Sequence, residues 1–217
     1  MELSAFQKFL SESFLWVEGL AAFIALLNYK PLKKQYWRFF IYYLILIFLS
    51  EIIGKWGGFY ISFSKAKYYN YLIIPFQFIF FYWLYAVKSF NSIRLFYWFS
   101  ALYISSFLLS EIFFSEKKIY FSFNYTLGCL LLMFLVLKEY YNQVNSVDIL
   151  NFNKNKMFYI NLGVTLFYIG TLPFFTFYSL LKDYSTIWDI YYGYFLISGI
   201  VMYLLFSISF IWGKQNY

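Results

Sequence analysis

Trp188 to Trp212 reads WDIYYGYFLISGIVMYLLFSISFIW, twenty-five residues in which Asp189 is the single charge. An α-helix rises 1.5 Å per residue, so about twenty residues cross a hydrocarbon core of about 30 Å. This stretch therefore reads as a spanning helix. Six more runs of the same character precede it: Ala5–Asn28, Trp37–Gly54, Asn70–Val87, Ile93–Phe114, Ile119–Leu137 and Met157–Leu181. The 217-residue chain is thus expected to be all-α, a polytopic membrane protein formed as one seven-transmembrane-helix bundle, with almost nothing left for a soluble domain.

Composition agrees. Hydrophobic residues make up 63% of the chain and charged residues 12%, against about 45–50% and 25% in a soluble domain. Aromatic residues reach 29%, with 31 Phe and 25 Tyr. Fifteen of the seventeen basic residues are Lys, and Phe, Tyr, Ile and Asn are also abundant, the bias of an AT-rich genome. That bias, together with anchoring of Tyr and Trp at the membrane interfaces, is expected to explain the aromatics without a dedicated stacking site. A net charge of +7 suggests nucleic acid in a soluble chain; here the basic residues sit in short loops and read as topology signals. The lipid bilayer is the expected partner, and no nucleic acid is. Cys129 is the lone cysteine, inside a span, which leaves no intrachain disulfide and no cysteine metal cluster. Glu12 and Glu18 interrupt the first apolar run and no small-x-small cleavage pattern follows, so that run is read as a span rather than a signal peptide.

The gaps after spans 1, 3 and 5 plus the C-terminal tail hold ten basic residues, four of them (Lys30, Lys33, Lys34, Arg38) in the short first gap. The other side holds seven, Lys8, Lys55, Lys65, Lys67, Lys117, Lys118 and Lys182. The bias places the N-terminus outside and the C-terminus inside the cell, where of the acids only Glu139 and Asp148 lie. The asparagine-rich stretch from Lys138 to Lys156 reads as a solvated cytoplasmic loop and a docking segment. Only Gly213 to Tyr217 follow Trp212, so no covalent effector domain is expected. Leu49-Ser50-Glu51-Ile52 recurs as Leu109-Ser110-Glu111-Ile112; chance and a duplicated helical hairpin both account for such a match.

Local signals are few. Ser4 and Gln7 have capping-box spacing at the start of span 1, which Pro31 is expected to end. Thr186 and Asp189 have the same spacing at the start of span 7. Pro75, and Pro173 after Gly170, free backbone carbonyls and are expected to kink spans 3 and 6. Gly54 and Gly58 have helix-packing spacing at a span end.

Polar groups in the spans carry whatever site exists. Glu18 lies near the bilayer midplane, where a charged acid costs about 2.5–3.5 kcal/mol to insert and is tolerated toward a bundle interior or a cavity. One reading makes it neutral interhelical glue, the other functional. Glu12 is nearer the rim. Glu51 has Lys55 at i+4, the favourable order for an ion pair, and Glu111 is within snorkelling reach of its helix end. Glu12, Glu18, Glu51 and Glu111 all fall in the outer half of three spans. An outer-half polar pocket is expected from them, walled by Asn124, Thr126, Thr171 and Thr176.

With no histidine in the chain, His-ligated haem, zinc sites of the usual kind and Ser-His or Cys-His nucleophiles are excluded. Span 7 has no lysine for a retinal Schiff base, and neither Gly-x-x-x-x-Gly-Lys nor Gly-x-Gly-x-x-Gly occurs. No cofactor or metal and no enzymatic activity is expected. The outline resembles small seven-helix families, including sugar transporters of the three-plus-one-plus-three type and sensory receptors, in span count and orientation, and shares no motif with them. The expected function is a bacterial inner-membrane sensor or accessory module, with a small-molecule ligand and a separate cytoplasmic or membrane protein partner. A small proton-coupled carrier using Glu18 and a structural subunit of a membrane complex are the alternatives. A tag placed after Tyr217 is expected to be reached by protease only from the cytoplasmic face; cleavage from the periplasmic face alone reverses the sidedness.

Overall fold

The protein is described by a computed structural model covering residues 4–59, 64–114, 120–145, 153–181 and 183–213, with side chains throughout except at 59, 109–114, 120–122 and 179. It is nearly all helical, 90%. We number the helices α1 (Ala5–Leu27), α2 (Trp37–Trp56), α3 (Lys65–Ser89), α4 (Ile93–Phe114), α5 (Tyr120–Val144), α6 (Lys156–Thr176) and α7 (Ser185–Ile211). Among the described residues, six helices are long and apolar enough to cross a membrane; α4 contributes a shorter apolar stretch, Ile93–Leu108. The chain is a multi-pass membrane protein.

α1 shows how the bilayer inverts the usual sorting. Its buried face is Glu18, Ala21, Ala22 and Ala25, while Trp16, Leu20, Phe23 and Leu27 are exposed. Lipid solvates the large apolar side chains, so small residues are freed to bring helices close and polar ones turn inward. α1 packs on α7 and α2, α7 on α6, and α6 on α5, while α3 touches α2, α4 and α5. α3 is the central element: Phe78, Phe81, Tyr82, Leu84 and Tyr85 are fully buried in it. Gly199 of α7 makes room for the Phe14 ring, which overlaps any Cβ placed there.

Some of the tyrosines serve the core. Tyr43, Tyr82, Tyr85, Tyr103 and Tyr168 are fully buried. Tyr82 Oη donates to the Gly128 carbonyl at 2.8 Å and Tyr85 Oη to Asn161 Oδ1 at 2.9 Å. α6 receives such bonds at Asn161, Thr165 and Thr171. Tyr140 donates to Thr165 (3.1 Å) and Tyr125 to Thr171 (3.2 Å), because each threonine hydroxyl already donates to a carbonyl one turn back. Tyr168 donates to Gln77 Oε1 at 3.1 Å.

Several boundaries shift for identifiable reasons. The Ser4–Gln7 capping box forms with both bonds. Asn28, not Pro31, ends α1, and Pro31 lies inside the short helix Tyr29–Leu32. Asp189 does not cap α7: the N-cap is Tyr184, without a side-chain bond, and Asp189 Oδ1 instead accepts from Gln7 Nε2 at 3.2 Å, tying α7 to α1. α5 continues through Lys138 to Val144 because Glu139, 3% exposed, is bonded by Ser89 and by Gln143; the loop expected from Lys138 is helical there, and Asp148 lies outside the described residues. Lys156 begins α6 and is likewise buried, its Nζ donating to the carbonyls of Ser209 and Gly213 at the C-terminal end of α7. A lysine so placed satisfies orphan carbonyls and faces the negative end of the helix dipole.

Pro75 and Pro173 mark irregular turns. Tyr69–Ile73 and Thr165–Ile169 are π-helical, each just before a proline. Pro75 and Pro173 have no N–H for the carbonyls of Tyr71 and Ile169, and wider i to i+5 bonds stand just ahead of them, Ile74 to Tyr69 and Gly170 to Thr165. A third π turn, Trp83–Ser89, ends α3.

Gly199→Val is expected to push Phe14 off α7 and lower stability by about 1–3 kcal/mol, read as an earlier unfolding transition in mild detergent.

Candidate functional site

The cross-helix bonds define one end of the bundle: Gln7 to Asp189 joins the starts of α1 and α7, and Thr126 to Thr176 (2.8 Å) joins the start of α5 to the end of α6. The end of α2 meets the start of α3 there as well. Tyr69 Oη donates to Glu51 Oε2 at 2.7 Å. Gly54, one turn beyond Glu51, lacks the Cβ that the Tyr69 hydroxyl would overlap. The glycine is needed for this phenol to reach the acid, which replaces the expected role of the Gly54/Gly58 spacing.

Glu51 is thus paired with Tyr69, whereas the sequence suggested Lys55. Lys55 Nζ lies 5.2 Å from the Trp56 ring centroid, on the exposed side of the helix end. Lys65 Nζ lies 6.0 Å from the centroid of Tyr69. In a water-poor site a fixed phenol one helix away satisfies a carboxylate at less entropic cost than a long lysine chain.

Deeper down, Glu18 is fully buried, and Tyr203 Oη donates to its Oε1 at 2.7 Å. Its Oε2 has no hydrogen-bond partner among the described residues. The Phe14 ring stands edge-on to Tyr203 with centroids 5.7 Å apart.

Between these levels lies a cleft of about 520 Å³. Ser11, Glu51, Lys55, Lys65, Asn70 and Gln77 are among its polar lining; Tyr125, Phe167, Phe175, Phe195 and Tyr203 are among its aromatic walls. Both proline-linked π turns contribute to the wall, through Tyr69, Asn70 and Ile73 on α3 and Phe167 on α6. The lining offers one carboxylate, two ammonium groups, two amides, several phenols and an aromatic floor, a set suited to holding a small molecule with a polar head. No group of three or more His, Cys, Asp or Glu suited to a metal occurs among the described residues.

The expected pocket residues distribute unevenly. Glu51 lines the cleft. Glu18 stands behind its wall, reached through Tyr203. Glu12 is exposed and faces away, and its neighbour Ser11 lines the cleft instead. Asn124 and Thr126 flank Tyr125, which does line it. Thr171 is buried as the acceptor of Tyr125, and Thr176 is bonded to Thr126, so both hold helices together behind the cleft. The Glu111 side chain lies outside the described residues. Tyr69, Tyr203, Gln77, Lys65 and the phenylalanine floor were not legible as site residues. Their signal was hidden because aromatic residues recur on every face of every span. Comparison with protein-family models, curated proteins and solved structures gives no match.

A double-mutant cycle of Tyr69→Phe and Glu51→Ala is expected to return a coupling of about 0.6 kcal/mol, the mean for hydrogen bonds inside a membrane protein. Strict additivity of the two unfolding shifts contradicts the pairing.

Proposed function

We propose that the chain is a bacterial inner-membrane protein of seven spans, N-terminus outside, in which the cleft opens to the outer face and binds a small molecule. α4 supplies the seventh crossing: its twenty-two residues rise about 33 Å. Occupancy of the cleft is passed to a separate partner, so the protein acts as a sensor or accessory module. The observation that carries this reading is the one-ended cleft. Its charged groups lie at the end of the bundle opposite the lysine-rich gap between α1 and α2, and beneath it Phe40, Phe81, Tyr168 and Phe206 close the core.

The π turns support the signalling part. π turns in α-helices occur frequently at functional sites, and both of those flanking a proline wall the cleft. A ligand that orders those walls shifts α3 and α6 where they pack on α5, and so alters the opposite end, where Glu139 and Lys156 are held. A carrier is the second reading, favoured by Glu18: a buried acid with one unbonded oxygen behind the cleft wall is placed as a proton-exchanging group is.

An Asn70→Cys variant is expected to react with a membrane-impermeant maleimide added from the periplasmic side, while the wild type, whose Cys129 is buried, stays unlabelled. Labelling from the cytoplasmic side alone sinks the outward cleft. In proteoliposomes under a pH gradient the sensor reading expects no proton flux; a flux abolished by Glu18→Gln selects the carrier.

A further inference from the structure

We infer that the cleft takes an anionic amphiphile, a molecule whose carboxylate or phosphate head sits between Lys55 and Lys65 and whose apolar body lies against Phe167, Phe175 and Phe195. The inference rests on the binding role proposed for the cleft and adds the class of ligand. It departs from the sequence, which drew attention to acids.

The charged groups of the lining are Glu51, Lys55 and Lys65, one negative and two positive. Glu51 is answered by Tyr69 at 2.7 Å. Neither lysine is in contact with a carboxylate among the described residues: the Lys55 ammonium lies 5.2 Å and the Lys65 ammonium 6.0 Å from a ring centroid, toward the outer limit of a cation–π contact, and Lys65 reaches Glu51 only through the longer-range attraction of their charges. Two flexible ammonium groups on one side, with a single neighbouring acid already hydrogen-bonded, leave that side net positive. An incoming cation meets them before it reaches Glu51 and is repelled; a carboxylate or phosphate oxygen draws both lysines off their rings into charge-assisted hydrogen bonds.

The lining is also sorted by side. Its charged groups come from the end of α2 and the start of α3, and its phenylalanines from α1, α6 and α7. A wholly polar anion leaves the aromatic floor uncovered, and a wholly apolar ligand leaves the ammonium groups unmatched. A molecule with the same division of polarity satisfies both. Two sources share this chemistry, a soluble organic anion and the phosphate end of an anionic lipid from the outer leaflet.

The test uses the full chain in phosphatidylcholine nanodiscs, titrated with phenylbutyrate, phenylbutanol and phenylbutylamine and followed by tryptophan fluorescence. The acid is expected to bind about tenfold more tightly than the alcohol, with the amine weakest. In the Lys55→Gln/Lys65→Gln variant the acid falls to within about twofold of the alcohol, while an unchanged alcohol affinity shows the cleft still folded. Binding of the amine as tightly as the acid, or an acid preference that survives the double substitution, overturns the inference and leaves the cleft's binding role standing. Failure of all three probes to bind the wild type sinks both. Native mass spectrometry from phosphatidylglycerol nanodiscs separates the sources: lipid retained by wild type, lost in the double variant and displaced by phenylbutyrate assigns a lipid ligand, whereas phenylbutyrate binding without lipid retention assigns a soluble anion.

Discussion

Inside the hydrocarbon layer no water answers a polar group, so a buried one turns to its own helix or to a neighbouring one for a partner. Glu18 and Tyr203 show the constraint at its sharpest. A fully buried carboxyl on α1 receives a phenol from α7 at 2.7 Å, and the two helices that begin and end the chain are thereby locked at a fixed rotation. With α1 turned so that Glu18 points inward, Trp16 and Phe23 must point to lipid, Ala21 and Ala25 must form the contact face, and Phe14 must enter the gap that Gly199 leaves. One unaffordable alternative, a carboxyl facing lipid, thus organises a whole helix.

The same requirement gives the buried tyrosines their use. A tyrosine packs like phenylalanine and carries one donor at its tip, so it fills the core and reaches a carbonyl or acid on a neighbouring helix. Tyr82, Tyr85, Tyr125, Tyr140 and Tyr168 do this across α3, α5 and α6. These bonds tie α3, α5 and α6 together, and some of them start or end within π turns, at Tyr85 in Trp83–Ser89 and at Thr165 and Tyr168 in Thr165–Ile169.

The acids and bases of the chain divide between these two roles. Glu139 and Lys156, which a linear reading assigns to a solvated loop, are buried fasteners: one accepts from Ser89 and Gln143, the other caps α7. Glu51 is held by Tyr69. Lys55 and Lys65, counted at first only as topology signals, line the cleft beside Glu51 without contacting its carboxylate.

Membrane embedding, the approximate place of each helix, the Ser4–Gln7 cap and the irregular turns at Pro75 and Pro173 could all be read from the chain. Each depends on residues within a few positions of one another, where hydropathy, capping geometry and a missing N–H act locally. Which acid faces inward, which tyrosine answers it and which lysine stays unmatched could not be read. Glu18 and Tyr203 are 185 positions apart, and helices that are aromatic on every side give no periodic stripe from which their rotation follows. That rotation is settled only when all the helices pack, since the cost of leaving one carboxyl, amide or phenol in lipid is weighed against every other contact at once.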